Sequence, residues 1–173
     1  MTVKELEGDG MQADRNETNS LVPQEKGELL GKQSIVSRSV VKNLIREAME
    51  GMKNAYTPYS NFKVGAALLT AKQEIYTGCN VENAAYGSTN CAERTALFKA
   101  ISEGEREFAA IAIVGGKGGV ITDYCPPCGI CRQVIREFAD PKRFLVILAK
   151  SEDDYLLYFL EELLPMSFGP ENL

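Results

Sequence analysis

The sequence predicts an α/β fold in which helices cover both faces of one mixed sheet of about five strands, a three-layer α-β-α sandwich. After residue 35, helix-like and strand-like patterns alternate in the order α-β-β-α-β-α-β-β-α. The segment 108–114 is a near-continuous apolar run, which is typical of a strand buried on both faces. A chain of 173 residues, 45% hydrophobic and 25% charged, is long enough for one such domain.

The first half of the chain predicts one helix and a hairpin. Ser37 or Ser39 can cap a helix whose apolar residues recur at helical spacing over 40–52. Strands at 62–70 and 75–81 are joined by a short polar connection and therefore pair as a hairpin. The polar, small residues that follow predict a loop at 82–90.

The second half repeats the alternation. A helix at 91–102 ends before Gly104 and is followed by the buried strand. Four glycines then predict a flexible loop: Gly115, Gly116, Gly118 and Gly119. The remaining predicted elements are a helix at 128–139, strands at 144–149 and 155–159, and a short helix at 161–164 that ends at Pro165.

Residues 1–35 differ in composition from the rest and are predicted to be a flexible tail, with the folded domain at 36–173. They contain few apolar residues and no period, so they bury too little surface to offset the entropy of ordering. The polar, acidic start is unlike a secretory or transit peptide, and no apolar run has the length of a membrane helix. We therefore expect a cytoplasmic protein with no membrane partner.

Charge and residue counts exclude several function classes. A net charge of −5 argues against an extended nucleic-acid surface, which needs clustered positive charge. The chain has no histidine, so a histidine-based hydrolase triad is excluded and any metal site must use Cys, Asp or Glu. The five cysteines are more typical of metal ligands or core residues than of disulfides.

Cys128 and Cys131 form a C-x-x-C motif at the start of a predicted helix. The partial positive charge of a helix N-terminus favours thiolates, and two thiolates at this spacing are half of a typical zinc site. A redox pair and simple packing are the alternatives. Cys91 also begins a predicted helix and supplies a third ligand if the helices lie side by side, which leaves a fourth position for water, as in catalytic zinc sites.

Glu93 lies two residues after Cys91, where its carboxylate can reach a water on the metal rather than the metal itself. It can then take the proton of that water and return it to a leaving group. Arg94 and Arg132 can offset the negative charge of three thiolates and a carboxylate through hydrogen bonds to sulfur. Taken alone, Glu93 also fits a solvated helix residue. The combination C-x-E with P-C-x-x-C is the known signature of zinc deaminases.

From Val41 to Leu173 the chain resembles the small cytidine deaminases of the homotetrameric, all-cysteine type. The matching blocks are FKVGAAL from Phe62, GCNVENA from Gly78, CAERTA from Cys91, PCGICRQ from Pro127, and LLP with SFGP near the end of the chain. The last block is most similar to the animal enzymes.

The resemblance implies the fold above and one zinc per chain, held by Cys91, Cys128 and Cys131. It also implies that Glu93 transfers the proton and that the substrate is cytidine or deoxycytidine. The implied substrate contacts are Phe62 against the base, Asn80 and Glu82 on the ribose hydroxyl, Ala84, Tyr86 and Ala92 lining the site, and Phe168 from a neighbouring subunit. The resemblance also implies a homotetramer in which active sites are shared between chains.

Three other functions remain open from the residues. A deaminase with the same centre can act on another aminopyrimidine nucleoside such as blasticidin S. A structural zinc module would use Cys125 as its fourth ligand, and a dithiol redox protein would use Cys125 with Cys128. Two features depart from the family: Pro126 stands where a serine is usual, and Cys125 is an additional thiol, predicted to be a bystander.

Overall fold

The fold comes from a computed structural model, which describes residues 36–173. The predicted tail at 1–35 lies outside the described residues. Within them, five strands form one sheet in the order β2-β1-β3-β4-β5. The strands are β1 Phe62–Thr70, β2 Ile75–Cys79, β3 Phe108–Lys117, β4 Leu145–Ala149 and β5 Tyr155–Phe159.

The sheet is mixed, as predicted. β1 pairs antiparallel with both β2 and β3, β3 runs parallel to β4, and β4 pairs antiparallel with β5. A parallel neighbour requires a crossover, and the chain between β3 and β4 supplies it with a helix. The described helices are α1 Arg38–Met52, α2 Ala92–Ser102, α3 Gly129–Phe138 and α4 Leu160–Leu163. The N-cap of α1 is Ser37, whose hydroxyl accepts from the Val40 N–H at 3.3 Å.

The sheet separates two hydrophobic cores, which establishes the three-layer arrangement. Alternate residues of β1 point to opposite faces. Ala67 and Leu69 pack in the core beneath α1, whereas Ala66 and Leu68 pack in the core that contains α2 and α3. Because both faces are covered, the central strands are almost continuously apolar. None of the helices within residues 36–173 is both long and apolar enough to span a membrane.

The hairpin prediction was wrong at the end of the second strand, which stops at Cys79 rather than at residue 81. The Asn80 side chain takes over the pairing with β1: its Oδ1 accepts from the Val64 N–H at 2.8 Å and its Nδ2 donates to the Phe62 carbonyl at 2.9 Å. Val81 turns away and pairs with Asn90 instead. This bridge brings the residue before Cys91 to the edge of the sheet.

The glycine-rich segment was also predicted incorrectly, because Gly115 and Gly116 belong to β3. A β-carbon at Gly115 would lie 2.9 Å from the Cys125 sulfur, and one at Gly116 would overlap the Val120 carbonyl. Glycine is needed here for close packing within a strand, not for a flexible loop. Gly118 and Gly119 have positive φ angles and do form the turn.

Candidate active site

The three predicted metal ligands come together where α2 and α3 begin. Cys91 is the N-cap of α2, Cys128 is the N-cap of α3, and Cys131 lies in the first turn of α3. Their sulfur atoms lie within 4.8 Å of one another, and Cys91 and Cys128 are 4.0 Å apart. Tetrahedral zinc with ligands at ~2.3 Å places sulfurs ~3.8 Å apart, so this group fits zinc.

The local charges favour thiolate at Cys91. Hydrogen bonds from the Cys131 thiol and the Arg94 guanidinium lower the pKa of Cys91 to about 5, against the opposing effect of burial. The same hydrogen bond to Cys91, together with burial, raises the pKa of Cys131, which therefore keeps its proton. A metal ion would replace that proton among the sulfurs.

Arg94 lies as predicted, whereas Arg132 does not. The Arg94 Nη2 donates to the Cys91 sulfur at 3.6 Å and to the Thr89 carbonyl at 3.1 Å. Arg132 instead donates to two carbonyl oxygens at 2.7 Å, those of Pro127 and Leu163. Both contacts are to backbone carbonyls, so Arg132 supports the loop that carries the ligands.

Glu93 is buried beside the sulfurs and is not a solvated helix residue. Only 4% of it is exposed, although it lies in the first turn of α2. Burial raises the pKa of Glu93, and the nearby Cys91 charge raises it further, while hydrogen bonds from its own backbone N–H and from Cys131 act in the opposite direction. A carboxyl group with a raised pKa close to a metal site is suited to carry a proton.

Cys125 is a partly buried thiol, and its role as a bystander stays a prediction. Burial raises the pKa of Cys125 to about 11, and the negative charges of Glu93 and Cys91 contribute. Among the described residues it is not part of the group of sulfurs that could share a metal ion. A structural site with Cys125 as the fourth ligand is therefore not favoured.

The predicted substrate residues lie around the same end of the sheet. Asn80 is occupied in holding β1, as described above. The Glu82 Oε2 accepts from the Tyr59 and Ser60 N–H groups at 2.9 and 3.2 Å. Hydrogen bonds from Ser60 and Tyr59 lower the pKa of Glu82, so its carboxylate is charged and fixed in orientation. Without a ligand, both side chains thus have local backbone partners.

The other substrate predictions differ in exposure. Ala92 is fully buried, Ala84 is exposed, and Phe62 is 40% exposed at the start of β1. Tyr86 and Phe168 are 76% and 59% exposed. For Phe168, which is predicted to act in a neighbouring subunit, exposure on its own chain is the expected state.

An open cavity of about 370 Å³ adjoins this group of residues. It is lined by Glu82, Tyr86, Tyr59, Ser60 and Thr89. The Thr89 carbonyl accepts from Arg94, which links the cavity wall to the Cys91 sulfur. Arg94 thus connects one wall of the cavity to the metal site, and the cavity volume is within the range of small-molecule sites.

Sequence reasoning missed Tyr59, Ser60 and Thr89 as cavity residues. The segment containing Tyr59 and Ser60 was interpreted only as a turn. Tyr59 and Tyr86 pack edge to face with ring centroids 6.0 Å apart. Two tyrosines flanking a proline in that turn, Tyr56 and Tyr59, were the available signal, since binding residues lie disproportionately on loops.

A family model and curated relatives point to the same protein family. Residues 38–148 match the family model described as the cytidine and deoxycytidylate deaminase zinc-binding region. A cytidine deaminase from Sporosarcina psychrophila is 47% identical over 133 residues, which is 77% of this chain and 94% of that protein. One from Halalkalibacterium halodurans is 48% identical over 130 residues, 75% of this chain and 95% of that protein.

Solved structures give the same result. The crystal structure of cytidine deaminase from Burkholderia pseudomallei has a TM-score of 0.67 and 48% identity, covering 73% of this chain and 97% of that one. The enzyme from Mycobacterium tuberculosis has a TM-score of 0.63 and 38% identity, covering 73% of this chain and 95% of that one. With the three thiols and Glu93 arranged as above, these matches lead to one conclusion: the chain belongs to the cytidine and deoxycytidylate deaminase family.

Proposed function

We propose that the protein hydrolyses cytidine and deoxycytidine to uridine and deoxyuridine with release of ammonia, using one zinc ion per chain. The observation that carries this function is the group of three cysteine sulfurs within 4.8 Å of one another, with buried Glu93 beside it. Three thiol ligands leave one coordination position for water, which a hydrolytic site needs. The similar proteins named cytidine deaminase support the substrate.

The three cysteines would hold the ion, and Arg94 would lower the negative charge that they accumulate. When bound, zinc lowers the pKa of a coordinated water towards ~7 and so makes water a nucleophile at neutral pH. Cys91 is already a thiolate at neutral pH, since its pKa is about 5. The Arg94 hydrogen bond at 3.6 Å would help to orient that sulfur towards the ion.

Glu93 would move the protons of the reaction. Its carboxylate accepts a proton from the attacking water and delivers it to the ring nitrogen beside the amino-bearing carbon. The second water proton then passes through the same carboxyl group to the amino group, which leaves as ammonia. Water and cytidine thus yield uridine and ammonia, and the raised pKa of Glu93 suits a group that is protonated and deprotonated in turn.

Nucleoside binding would use residues around the cavity. We assign the base to Phe62, with Ala84, Tyr86 and Ala92 lining the site. Asn80 and Glu82 would contact the ribose hydroxyl. A carboxylate has about four acceptor positions, and the Tyr59 and Ser60 N–H groups use two at Glu82. The backbone contacts therefore orient the carboxylate while leaving capacity for a hydroxyl.

The first experiment measures loss of the cytidine ultraviolet band and zinc per chain in the same purified sample. We expect turnover with about one zinc per chain. Glu93→Gln should keep the zinc and the fold, but its turnover rate should fall by a factor of ~10²–10⁴, because an amide group cannot carry the proton. Normal turnover in that variant would contradict the mechanism. Faster turnover of blasticidin S than of cytidine would instead reassign the substrate.

The assembly is also part of the proposal: a homotetramer in which Phe168 of one chain contacts the substrate of a neighbour. Its exposure on its own chain supports this role. Co-expression of a Glu93→Gln chain with a Phe168→Ala chain tests it. Mixed assemblies contain sites that combine an intact Glu93 with an intact Phe168 from another chain, so activity at cytidine concentrations well below KM should exceed that of either parent. If Phe168 acts within its own chain, mixing gives no such gain.

We further propose a cytoplasmic role in pyrimidine salvage. All five cysteines are free thiols, which is typical of a reducing compartment. Salvage follows from the substrates, since both products are free pyrimidine nucleosides. Fractionation of the cells that contain the protein, with cytidine deamination followed in each fraction, tests the location.

A further inference from the structure

The end of the chain is fastened to α3, the helix that begins at the metal ligands. Three polar side chains on this helix hold it. Arg132 donates to the Leu163 carbonyl at 2.7 Å, and Gln133 donates from Nε2 to the Phe168 carbonyl at 3.0 Å. Arg136 donates from Nε to the Ser167 hydroxyl at 3.0 Å and forms an ion pair with Glu171. The segment 167–171 is therefore fixed on both sides of Phe168.

Arg136 is the central residue of this attachment. It is only 7% exposed, which is unusual for an arginine and requires that its N–H groups be paired. Gly169 packs directly on its guanidinium group, and a β-carbon at that position would overlap the guanidinium. The Gly169 N–H is in turn held by the Asn172 Oδ1 at 2.8 Å. Segment 167–171 thus covers the Arg136 guanidinium group, and these contacts fix the backbone of the segment.

The attachment leaves Phe168 exposed. A hydrophobic anchor would bury this aromatic ring against the helix, which is the less costly way to fix a terminal segment. Here the polar groups on either side are held, while 59% of Phe168 stays exposed. The planar, rigid fork of an arginine fixes both position and orientation of its partners. The arrangement is that of a residue presented to something outside its own chain.

We propose that Arg136 is a positioning residue that holds segment 167–171 on α3, so that the Phe168 ring has one fixed orientation. This inference rests on the proposed function, in which Phe168 contacts the nucleoside of a neighbouring chain. Since α3 begins at two metal ligands of its own chain, the helix ties the placement of Phe168 to that metal site. Arg136 itself touches no reacting atom and acts through Phe168.

The test is a double-mutant cycle on the zinc-loaded, full-length protein. Arg136→Met and Phe168→Ala are expected to raise KM for cytidine about 10- to 100-fold, with kcat changed less than about threefold, because a misplaced contact weakens substrate positioning. Zinc per chain should be unchanged. The double variant should have the KM of Phe168→Ala alone, because Arg136 has no role once the ring is absent. Arg136→Lys keeps the charge without the fork and should give an intermediate KM.

The control is Arg46→Met, which removes an arginine on α1 that pairs with Glu152 at 3.7 Å, far along the chain from segment 167–171. Its KM should equal that of the unmodified protein. If Arg136→Met does not fold, Glu171→Gln removes one partner from the exposed side of the pair and should raise KM only when Phe168 is present.

Two results would overturn the inference. In the first, the increases in KM caused by Arg136→Met and Phe168→Ala multiply in the double variant, which shows that the two residues act independently. In the second, Phe168→Ala leaves KM unchanged while the unmodified protein deaminates cytidine, so the ring has no role although the proposed activity stands. Failure of the unmodified protein to deaminate cytidine is a different result, since it overturns the proposed function itself.

Discussion

Arg94 shows how one side chain can support a metal site without being a ligand. It contacts the Cys91 sulfur and the Thr89 carbonyl, and its Nε is buried without an acceptor among the described residues. A buried donor without a partner is costly. The attraction between the guanidinium charge and the Cys91 thiolate compensates for it, because this attraction is strong where water is excluded. The positive charge, more than the number of hydrogen bonds, is thus what this position requires.

Arg94→Met should weaken zinc retention about 10- to 100-fold, the usual effect of removing a group that supports a metal ligand. Three thiolates without the nearby cation repel one another more strongly. Competition with a chromophoric chelator measures the change, and Arg46→Met is the matched control, because Arg46 is a partly exposed arginine with a surface ion pair. Equal zinc retention in both variants would contradict the charge argument.

At the scale of elements, the close approach of β2 to α2 sets the position of the first ligand. Gly78 faces the start of α2, where a β-carbon would overlap the Ala92 carbonyl and the Ala96 amide nitrogen and lie 3.0 Å from the Thr95 β-carbon. Backbone atoms cannot move aside as a flexible side chain can. Glycine therefore allows α2, and with it Cys91 and Glu93, to lie directly on the sheet.

Gly78→Ala should destabilise the fold by about 1–3 kcal/mol, the cost of overpacking a close contact, and should lower the zinc content because α2 must shift. Urea unfolding with zinc determination measures both effects. The control is Gly87→Ala, since a β-carbon at Gly87 meets no atom within 4 Å. A Gly78→Ala protein as stable as the Gly87→Ala protein would show that the helix can move without cost.

At the scale of the whole molecule, a cluster of Asp154, Lys150 and Tyr124 connects two loops that are distant in the sequence. Asp154, at the turn before β5, forms hydrogen bonds with Lys150 and with the Tyr124 hydroxyl, and the Lys150 ammonium group lies 4.6 Å from the centre of the Tyr124 ring. Hydrogen bonds from Lys150 and then from Tyr124 hold the pKa of Asp154 below its usual value. This cluster links the turn between β4 and β5 to the segment that precedes the C-x-x-C motif.

The lowered pKa of Asp154 predicts a pH dependence of stability. The carboxylate contributes stability at pH values above its unfolded pKa of about 3.9, and this contribution is lost as pH falls through the lower folded value. Asp154→Asn should therefore reduce the free energy of unfolding at neutral pH. As the pH falls below ~4, the variant should lose less of its remaining stability than the unmodified protein does. Urea midpoints across this range measure it. Glu137→Gln, which alters an exposed carboxylate on α3, should keep the full acid dependence.

The sequence by itself determined the fold class and the order of elements, and it predicted the three cysteines as metal ligands. The spacing of apolar residues reflects burial, so the sequence indicated that both faces of the sheet are covered. Because the chain has no histidine, the thiols of Cys91, Cys128 and Cys131 were the clearest candidates for metal ligands. Glu93 could be placed by its spacing from Cys91, since one helical turn fixes their relation. These inferences depend on short-range geometry, which residue order specifies.

Only the tertiary structure decided features that depend on contacts between distant segments. Asn80 ends β2 by pairing with β1, and Gly115 belongs to β3, where Cys125 packs against it. Arg132 contacts the Leu163 carbonyl rather than a sulfur, and burial together with the charge of Glu93 raises the pKa of Cys125. Each of these contacts joins residues that are far apart in the sequence. Local sequence patterns do not specify such contacts, because hydrogen-bond pairing and close packing in the folded chain select them.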